Sequence, residues 1–391
     1  MTHADAIFSD RISDVPRSFI REILKTTVRP EVISFAGGLP NRDLFPVAEI
    51  EEATLHVLRN NLKDSLQYST SEGYLPLREY IAARYQKRHG LAVHPDEILI
   101  TNGSQQGLDL LGKILLNEGD HVILEKPSYL GAIQALSLYQ PRFETVPLLA
   151  SGADIAALAE ILQRSSPKLF YSVPNFQNPS GISYDDTTRR AVADILRAHR
   201  TFFIEDDPYG ELRFRGKDQP SFRHYIPEQT ILLGSFSKIV VPSFRLGWIV
   251  APAKIMERLV VAKQAADLHT NFFCQKIIHR YLTTNDVDVH IATIRAAYGR
   301  QCDAMLQAMR KYFPPGVSFT EPEGGMFIWA TLPEGQVALQ LFDKAIQNNV
   351  AFVPGNPFYV TPGEYRTMRL NFSCVDPGTI NAGIQRLGAI I

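Results

Sequence analysis

A lysine and an arginine stand inside an apolar part of the sequence. Residues 231–252 read ILLGSFSKIVVPSFRLGWIVAP, and Lys238 and Arg245 lie between the apolar runs 231–234 and 248–250. A lysine near a core is costly unless it is paired, deprotonated or covalently occupied. An arginine there can grip an oxyanion with its planar fork. The segment therefore predicts a binding site, and the neighbouring motifs indicate which kind.

Five predicted strands are each followed by polar side chains. From about residue 97 the short apolar runs EILIT, HVILE, KLFYSV, TFFIED and TILLGS alternate with helical segments. This alternation predicts βαβ units and a mostly parallel sheet covered on both faces. In such a sheet, ligands bind outside the carboxyl ends of the strands. The polar groups that follow the strands are residues 102–107, 127–129, 175–181, 206–209 and 235–238.

One of these groups suits a phosphate. Gly103, Ser104 and Gln105 stand between a strand and a helix, where free backbone N–H groups and the positive helix end meet. An ordinary turn between strand and helix has the same composition, and the segment matches neither the Walker A nor the dinucleotide pattern. Further phosphate ligands can come from residues 231–252, namely Ser235, Ser237 and Arg245.

The other groups suit an aromatic, carbonyl-bearing ligand. Asp206 ends a wholly apolar strand, so it is either a buried carboxylate facing a group such as a protonated ring nitrogen, or a helix N-cap. Tyr209 either presents its hydroxyl to the same ligand or lies half-buried in the core, and Tyr129 can stack on a ring. Near an acid and a phosphate, Lys238 can form a Schiff base with a carbonyl.

Taken together, these motifs resemble those of a known family. Ser235-x-Ser237-Lys238 with Arg245-x-Gly247, preceded by Asp206-x-x-Tyr209 and by the NPSG motif of residues 178–181, resembles the pyridoxal-phosphate-dependent aminotransferases of fold type I. The segments SFIREILK, ISFAGGLP, LQYSTSEGYLPLRE and EDDPYGELRF are similar to the subgroup of 2-aminoadipate, kynurenine and aromatic amino-acid aminotransferases. The resemblance covers essentially the whole chain. It implies an α/β fold with a mostly parallel seven-stranded sheet in a large domain and a smaller α+β domain.

The resemblance also implies a role for each matching residue. Lys238 would carry pyridoxal 5'-phosphate as a Schiff base and later move a proton, and Asp206 would pair with the pyridinium nitrogen. Tyr209 and Asn178 would hydrogen-bond the ring 3-oxygen, and Tyr129 would stack on the ring. The remaining cofactor-binding residues would be Gly103, Ser104, Gln105, Ser235, Ser237 and Arg245, joined by Tyr68 of the partner subunit. That last contact implies a homodimer with shared active sites.

Three further residues would bind the substrate beside Asn178. Arg369 would hold the α-carboxylate, with Gly38 lining the same spot. In TMRLNFS the apolar residues alternate with Arg369 and Asn371, although an exposed strand face has the same pattern. Arg21 matches a position that can bind a distal carboxylate in the aminoadipate subgroup. It lies on a helix predicted over residues 15–30, where a solvated face is the alternative.

The implied activity is transfer of an amino group from an L-amino acid to a 2-oxo acid such as 2-oxoglutarate. The amino acid would be 2-aminoadipate-like, aromatic or similar. A lyase, racemase or decarboxylase on the same scaffold is the alternative. A transcription regulator is disfavoured because only about 35 residues precede the GGLP turn, too few for a DNA-binding domain.

Composition limits the class of protein and its partners. The chain has 391 residues, a formal net charge of −1 and three cysteines without a CxxC pair. These features favour a soluble, cytoplasmic enzyme without a metal site, nucleic-acid partner or membrane partner, and the start MTHADAIFSD has no signal-peptide layout. The predicted division is an N-terminal segment (1–30), a large domain (45–290) and a small domain (31–44 and 291–391).

Overall fold

A mixed sheet of eight strands positions most of the predicted site. The computed structural model describes residues 8–13, 29–60 and 62–391. The strands of this sheet are β2 Ile98–Thr101, β3 His121–Lys126, β4 Arg142–Leu149, β5 Gly152–Ala153, β6 Leu169–Ser172, β7 Phe202–Asp206, β8 Thr230–Ser235 and β9 Gly247–Val250. Their order is β2-β9-β8-β7-β6-β3-β4-β5. The pairs joining β8, β7, β6, β3 and β4 are parallel, and β9 and β5 pair antiparallel with their neighbours. The predicted α/β class with a mostly parallel sheet is confirmed.

The strand count differs from the expected seven because of the edge strand β5. Gly152, with φ +127°, and Ala153 fold back on the end of β4 and pair with Leu149 and Leu148. Two residues are too few to show a strand period in the sequence. By contrast, β2, β6 and β8 are buried along their whole length, as expected for continuous apolar runs in a sheet covered on both faces.

The helices follow the predicted pattern with two differences. The α-helices are α1 Asp10–Ser13, α2 Val47–Asn60, α3 Leu62–Ser65, α4 Leu75–His89, α5 Ser104–Leu115, α6 Leu130–Ser137, α7 Ile155–Arg164, α8 Asp186–Arg197, α9 Ala253–Asp267, α10 Phe272–Thr284, α11 Val287–Tyr312, α12 Ala338–Gln347 and α13 Pro377–Gly388. The sequence VAKQAADLHTNFFCQKIIHRYL predicts one helical block over residues 261–282, but the block is broken at Leu268, whose φ is +65°. The sequence also predicts a long helix over residues 291–312. Helix α11 begins four residues earlier, because Asp286 caps it and accepts from the N–H groups of Asp288 and Val289.

A second sheet carries the predicted carboxylate ligand. Strands β10 Ser318–Phe319, β11 Phe327–Thr331, β13 Val353–Pro354 and β14 Thr367–Asn371 form an antiparallel sheet in the order β10-β11-β14-β13. Strand β1 Ile33–Ser34 pairs in parallel with β12 Val350–Ala351. This pairing joins residues just after the N-terminal segment to the C-terminal part of the chain, which favours the predicted small domain; the domain boundaries stay a prediction.

Two further observations concern the described residues alone. None of their helices is long and apolar enough to cross a membrane. The helix predicted over 15–30 lies almost wholly outside the described residues, and so does Arg21.

Candidate active site

The predicted site residues converge on one cavity of about 320 Å³. Its walls comprise Gly38, Ser104, Gln105, Tyr129, Val173, Asn178, Asp206, Pro208, Tyr209, Ser235, Ser237, Lys238, Arg245 and Arg369. The sequence predicted all of these except Val173 and Pro208, which follow the apolar runs of β6 and β7. The two parts of the chain that meet here are the carboxyl edge of the large sheet and strand β14.

Lys238 lies just after β8 and points toward the segment that contains Gly38. Its Nζ donates a hydrogen bond to the carbonyl oxygen of Gly38 at 2.9 Å. Desolvation lowers the Lys238 pKa to about 8, and the positive charges of Arg369 and Arg245 act in the same direction. A substantial fraction of the amine is therefore neutral near pH 8, which is the form that attacks a carbonyl.

Asp206 is the last residue of β7 and is 2% exposed. Its Oδ2 accepts a hydrogen bond from the Tyr171 hydroxyl at 2.8 Å, whereas its Oδ1 is buried without a hydrogen-bond partner among the described residues. Burial raises the Asp206 pKa to about 7. Asp206 is not the N-cap of the following segment. The capping role belongs to Asp207, whose Oδ1 accepts from the backbone N–H of Gly210. An unpaired buried carboxylate oxygen fits a protonated ring nitrogen.

Tyr209 and Tyr129 form the aromatic part of the wall. Tyr209 is 4% exposed, so it is buried as the core alternative required, yet it also lines the cavity. Desolvation raises its pKa, and desolvation raises the Tyr129 pKa to about 12, so both hydroxyls remain protonated donors at neutral pH. Gly131 lies directly under the Tyr129 ring, because a Cβ there would come within 2.5 Å of the ring. The Tyr129 ring therefore packs closely against the first turn of α6.

Two glycines allow the predicted phosphate ligands to lie close together. In the register of β8, β9 and β2, Gly247 pairs with both Ser235 and Thr101. A Cβ on Gly247 would lie 2.7 Å from the backbone nitrogen of Ser104, the first residue of α5. A Cβ on Gly103, whose φ is +75°, would lie 2.6 Å from Arg245 Nη2. The helix N-terminus and the guanidinium thus meet at one point, which fits a phosphate.

Arg245 itself has a backbone conformation that is unusual for a residue with a side chain. Its φ is +53°, in the left-handed region. The guanidinium donates to the carbonyl oxygen of Pro242 at 3.3 Å and to Ser237 Oγ at 3.5 Å, and it forms no salt bridge with a carboxylate of the described residues. Its positive charge is therefore available to an anion.

Arg369 is a buried cation held by neutral groups. It is 2% exposed on β14, and it donates to Asn178 Oδ1 and to the carbonyl oxygen of Ala36, each at 2.8 Å. Its guanidinium carbon lies 4.5 Å from the Phe327 ring centre and 5.3 Å from that of Phe358. Burial lowers its pKa to about 10, so it stays charged at neutral pH.

The surroundings of Arg369 decide between the two interpretations of its strand. Both faces of β14 are buried, so the exposed-face alternative is wrong. Its Nε is buried without a hydrogen-bond partner among the described residues. A Cβ on Gly38 would lie 3.8 Å from Arg369 Nη2, so the glycine leaves room beside the cation. An uncompensated buried charge at this place fits a carboxylate from the substrate.

Two of the predicted residues, Gly103 and Tyr68, are not part of the cavity wall. Gly103 supports the phosphate region from behind, as described above. Tyr68 is 78% exposed, and its ring contacts His269 edge-on at 5.8 Å. Arg21 lies outside the described residues. Among the residues that the structure describes, no group of histidine, cysteine and acidic side chains could hold a metal ion.

Sequence reasoning missed the residues that tie the wall together. Gln177 Nε2 donates to Glu125 Oε2 at 2.9 Å and to the carbonyl oxygen of Pro127 at 2.7 Å, and Gln177 Oε1 accepts from the N–H of Ser180. The loop that carries Tyr129 is thereby joined to the loop that carries Asn178. The position of Gln177 directly before Asn178 was the available signal. Tyr171 gave none, because it stands within an apolar run.

Comparisons with known proteins agree with this geometry. The model of the family "Aminotransferase class I and II" matches residues 30–387. The chain is 43% identical over 378 residues to the 2-aminoadipate transaminase of Thermus thermophilus, with 96% of this chain and 94% of that protein covered. It is 40% identical over 390 residues to aromatic-amino-acid aminotransferase 1 of Thermococcus litoralis, with 98% and 94% covered.

A solved structure extends the similarity to the fold. The α-aminoadipate aminotransferase of Thermus thermophilus, complexed with N-(5'-phosphopyridoxyl)-L-leucine, superposes with a TM-score of 0.93 at 41% identity, covering 99% of this chain and 97% of that one. The chain therefore belongs to the class I and II aminotransferases and is a pyridoxal-phosphate-dependent aminotransferase.

Proposed function

We propose that this aminotransferase acts on L-amino acids with 2-aminoadipate-like, aromatic or similar side chains, with a 2-oxo acid such as 2-oxoglutarate as amino acceptor. The observation that carries the proposal is the buried, uncompensated Arg369 in the same cavity as Lys238 and the unpaired Oδ1 of Asp206. The similarity to enzymes named for 2-aminoadipate and aromatic amino acids favours that substrate class.

The proposal assigns a role to each functional residue of the cavity. Bound pyridoxal phosphate would supply the aldehyde that forms a Schiff base with an amine, and the electron sink for breaking the Cα–H bond. Lys238 would hold the cofactor covalently, and its free amine would take the proton from Cα as a general base. Asp206 keeps the ring nitrogen protonated. Asn178 and Tyr209 contact the ring 3-oxygen, and Tyr129 covers the ring.

Arg369 orients the substrate. Its guanidinium is fixed by Asn178 and by the carbonyl oxygen of Ala36, so a carboxylate that binds it lies beside Gly38, to which Lys238 is also hydrogen-bonded. A fixed carboxylate restricts rotation about the Cα bonds and holds the Cα–H toward the lysine. The same clamp serves the 2-oxo acid, whose carboxylate has the same geometry.

The phosphate is assigned to the glycine-lined junction of α5 and Arg245. Backbone N–H groups of the first turn of α5 and the Arg245 guanidinium supply the donors, with the hydroxyls of Ser104, Ser235 and Ser237 and the amide of Gln105 around them. Gly103 is required for the close approach of Arg245 rather than for direct contact. Dense charge-assisted hydrogen bonding of this kind anchors the cofactor while Lys238 is free.

The proposed assembly is a homodimer in which Tyr68 reaches the partner's cofactor phosphate. Tyr68, Leu66 and Leu268 are 78%, 70% and 53% exposed, and the Tyr68 ring contacts His269, the residue that follows Leu268. Large exposed apolar side chains that cluster in this way favour an interface. Tyr68→Phe should weaken cofactor binding without changing the mass of the dimer, whereas Leu66→Asp should shift the mass toward the monomer.

An absorption titration without any acceptor tests the activity. Purified holoenzyme is mixed separately with 2-aminoadipate, kynurenine, phenylalanine, leucine and glutamate, and the visible cofactor band is followed. The proposal expects stoichiometric conversion to the amine form of the cofactor, fastest with 2-aminoadipate or an aromatic amino acid. Lys238→Ala is the matched control and should bind cofactor without converting it. Loss of carbon dioxide, racemisation or elimination without formation of the amine form would instead establish the alternative chemistry, and a strong preference for glutamate alone would refute the substrate class.

A further inference from the structure

A tyrosine behind the cavity wall contacts the carboxylate that faces the cofactor. Tyr171 lies on β6 and pairs in register with Ile204 of β7, so its side chain is on the same face as that of Asp206. It is fully buried, with 0% exposure. Its hydroxyl lies 2.8 Å from Asp206 Oδ2 and does not line the cavity. Tyr171 is therefore placed to act on a ligand in the cavity only through Asp206.

The direction of this hydrogen bond follows from the two acidities. Desolvation and the negative charge of Asp206 raise the pKa of Tyr171 well above its ordinary value. The phenol therefore stays protonated and is the donor of the hydrogen bond. Burial raises the Asp206 pKa, and the negative charges of Asp207 and Glu125 raise it further. The hydroxyl of Tyr171 opposes all three, because a donor stabilises the ionised carboxylate.

We propose that Tyr171 is a positioning residue that occupies Oδ2 of Asp206, turns Oδ1 toward the cavity and keeps the shared proton on the cofactor ring nitrogen rather than on the carboxylate. The inference rests on the proposed function, in which Asp206 pairs with that nitrogen. Without the Tyr171 hydroxyl, the carboxylate binds a proton more tightly, so the proton moves from the ring nitrogen to Asp206 and the ring loses its positive charge.

The chain offers a matched control for the loss of a buried hydroxyl. Tyr184 is also 0% exposed, and its hydroxyl donates to a buried carboxylate, Glu125 Oε1, at 2.8 Å. Glu125 keeps three other donors when that hydroxyl is removed, namely Ser172 Oγ, Gln177 Nε2 and the N–H of Val173. Tyr184→Phe should therefore have a similar effect on stability and leave the proton of the cofactor in place.

The test is ¹⁵N NMR of the holoenzymes loaded with pyridoxal phosphate labelled at the ring nitrogen, together with the dissociation constant of the cofactor. In Tyr171→Phe the ¹⁵N shift should move from the protonated toward the unprotonated value, and the affinity should fall about 10- to 100-fold, the range for a hydrogen bond to a charged group. In Tyr184→Phe both should stay unchanged. In an Asp206→Asn background, adding Tyr171→Phe should have little further effect on either measurement.

The outcomes separate this inference from the proposed function. If Asp206→Asn weakens cofactor binding while Tyr171→Phe leaves the ¹⁵N shift and the affinity within twofold of the unmodified enzyme, the role of Tyr171 is refuted and that of Asp206 stands. If neither substitution changes them, the role of Asp206 is refuted as well. Should Tyr171→Phe not fold, as judged by near-UV circular dichroism, 3,5-difluorotyrosine introduced at position 171 keeps the hydroxyl and makes it a stronger donor. The ¹⁵N shift should then move further toward the protonated value, and movement in the other direction overturns the proposal.

Discussion

Replacing Arg369 by lysine tests the substrate clamp directly. The guanidinium makes two hydrogen bonds, to Asn178 and to the carbonyl oxygen of Ala36, and lies near the rings of Phe327 and Phe358. Lysine keeps the positive charge but has no planar fork, so it cannot keep both contacts and also bind a carboxylate with two parallel bonds.

The size of the effect follows from the contacts that are lost. One charge-assisted hydrogen bond contributes about 1.5–3 kcal/mol, so losing one of the two bonds to the substrate carboxylate should lower kcat/KM about 10- to 100-fold. Cofactor affinity should change little, because Arg369 is proposed to bind the substrate and the phosphate is assigned to other residues. The same substitution at Arg366, an exposed residue three positions earlier on the chain, is the matched control and should leave both quantities unchanged.

The assay is rapid mixing of holoenzyme with an amino acid and, separately, with the primary amine that lacks its carboxylate. Since only the amino acid uses the clamp, Arg369→Lys should lower its rate constant and leave that of the amine nearly unchanged. Equal losses for the two compounds would show that the substitution disturbed the cavity as a whole. Amino-acid rates within threefold of the unmodified enzyme would contradict the assignment of Arg369.

Three further predictions follow from the geometry and the electrostatics. Burial, and after it the charge of Arg369, lowers the Lys238 pKa to about 8. The rate at which apoenzyme combines with pyridoxal phosphate should therefore rise about tenfold between pH 7 and pH 9, as the amine loses its proton. In stopped-flow absorbance Arg369→Gln should move the midpoint of this profile to higher pH, and a flat profile would contradict the prediction. Burial raises the pKa of Asp206 from an unfolded value of 3.8 to about 7 in the folded apoenzyme. The contribution of this carboxyl group to the free energy of unfolding is full below pH 4 and is lost as the pH rises through 7. Asp206→Asn should therefore raise the melting temperature of the apoenzyme more at pH 8 than at pH 5, while weakening cofactor binding. Gly247→Ala should push β9 away from the Ser104 nitrogen. Since overpacking costs about 1–3 kcal/mol, this change should weaken cofactor binding about tenfold or more in a fluorescence titration. Gly335→Ala, which has open space around its Cβ position, should leave cofactor affinity unchanged.

Much of the large sheet could be predicted because its strands carry their own signal. A strand covered on both faces must be largely apolar, and the runs at the centre of β2, β3, β6, β7 and β8 are. The strands that lacked this signal were missed or came only from the resemblance: β4 reads RFETVPLL with exposed and half-buried positions, and β5 has two residues. The break at Leu268 was missed because a single left-handed leucine leaves no mark on the helical period.

The sequence by itself determined which side chains stand at the strand ends, and therefore that Lys238, Asp206 and Arg245 meet at one edge of the sheet. The tertiary structure alone decided how they are charged and held. The donor to Asp206 is 35 residues away on a neighbouring strand, and its place depends on strand register. Arg369 comes from a different sheet, and the fact that no described carboxylate pairs with it depends on every segment that lines the cavity. Spacing along a chain records which residues are local neighbours, whereas burial and hydrogen-bond partners depend on contacts between distant segments, and these decide the chemistry of the site.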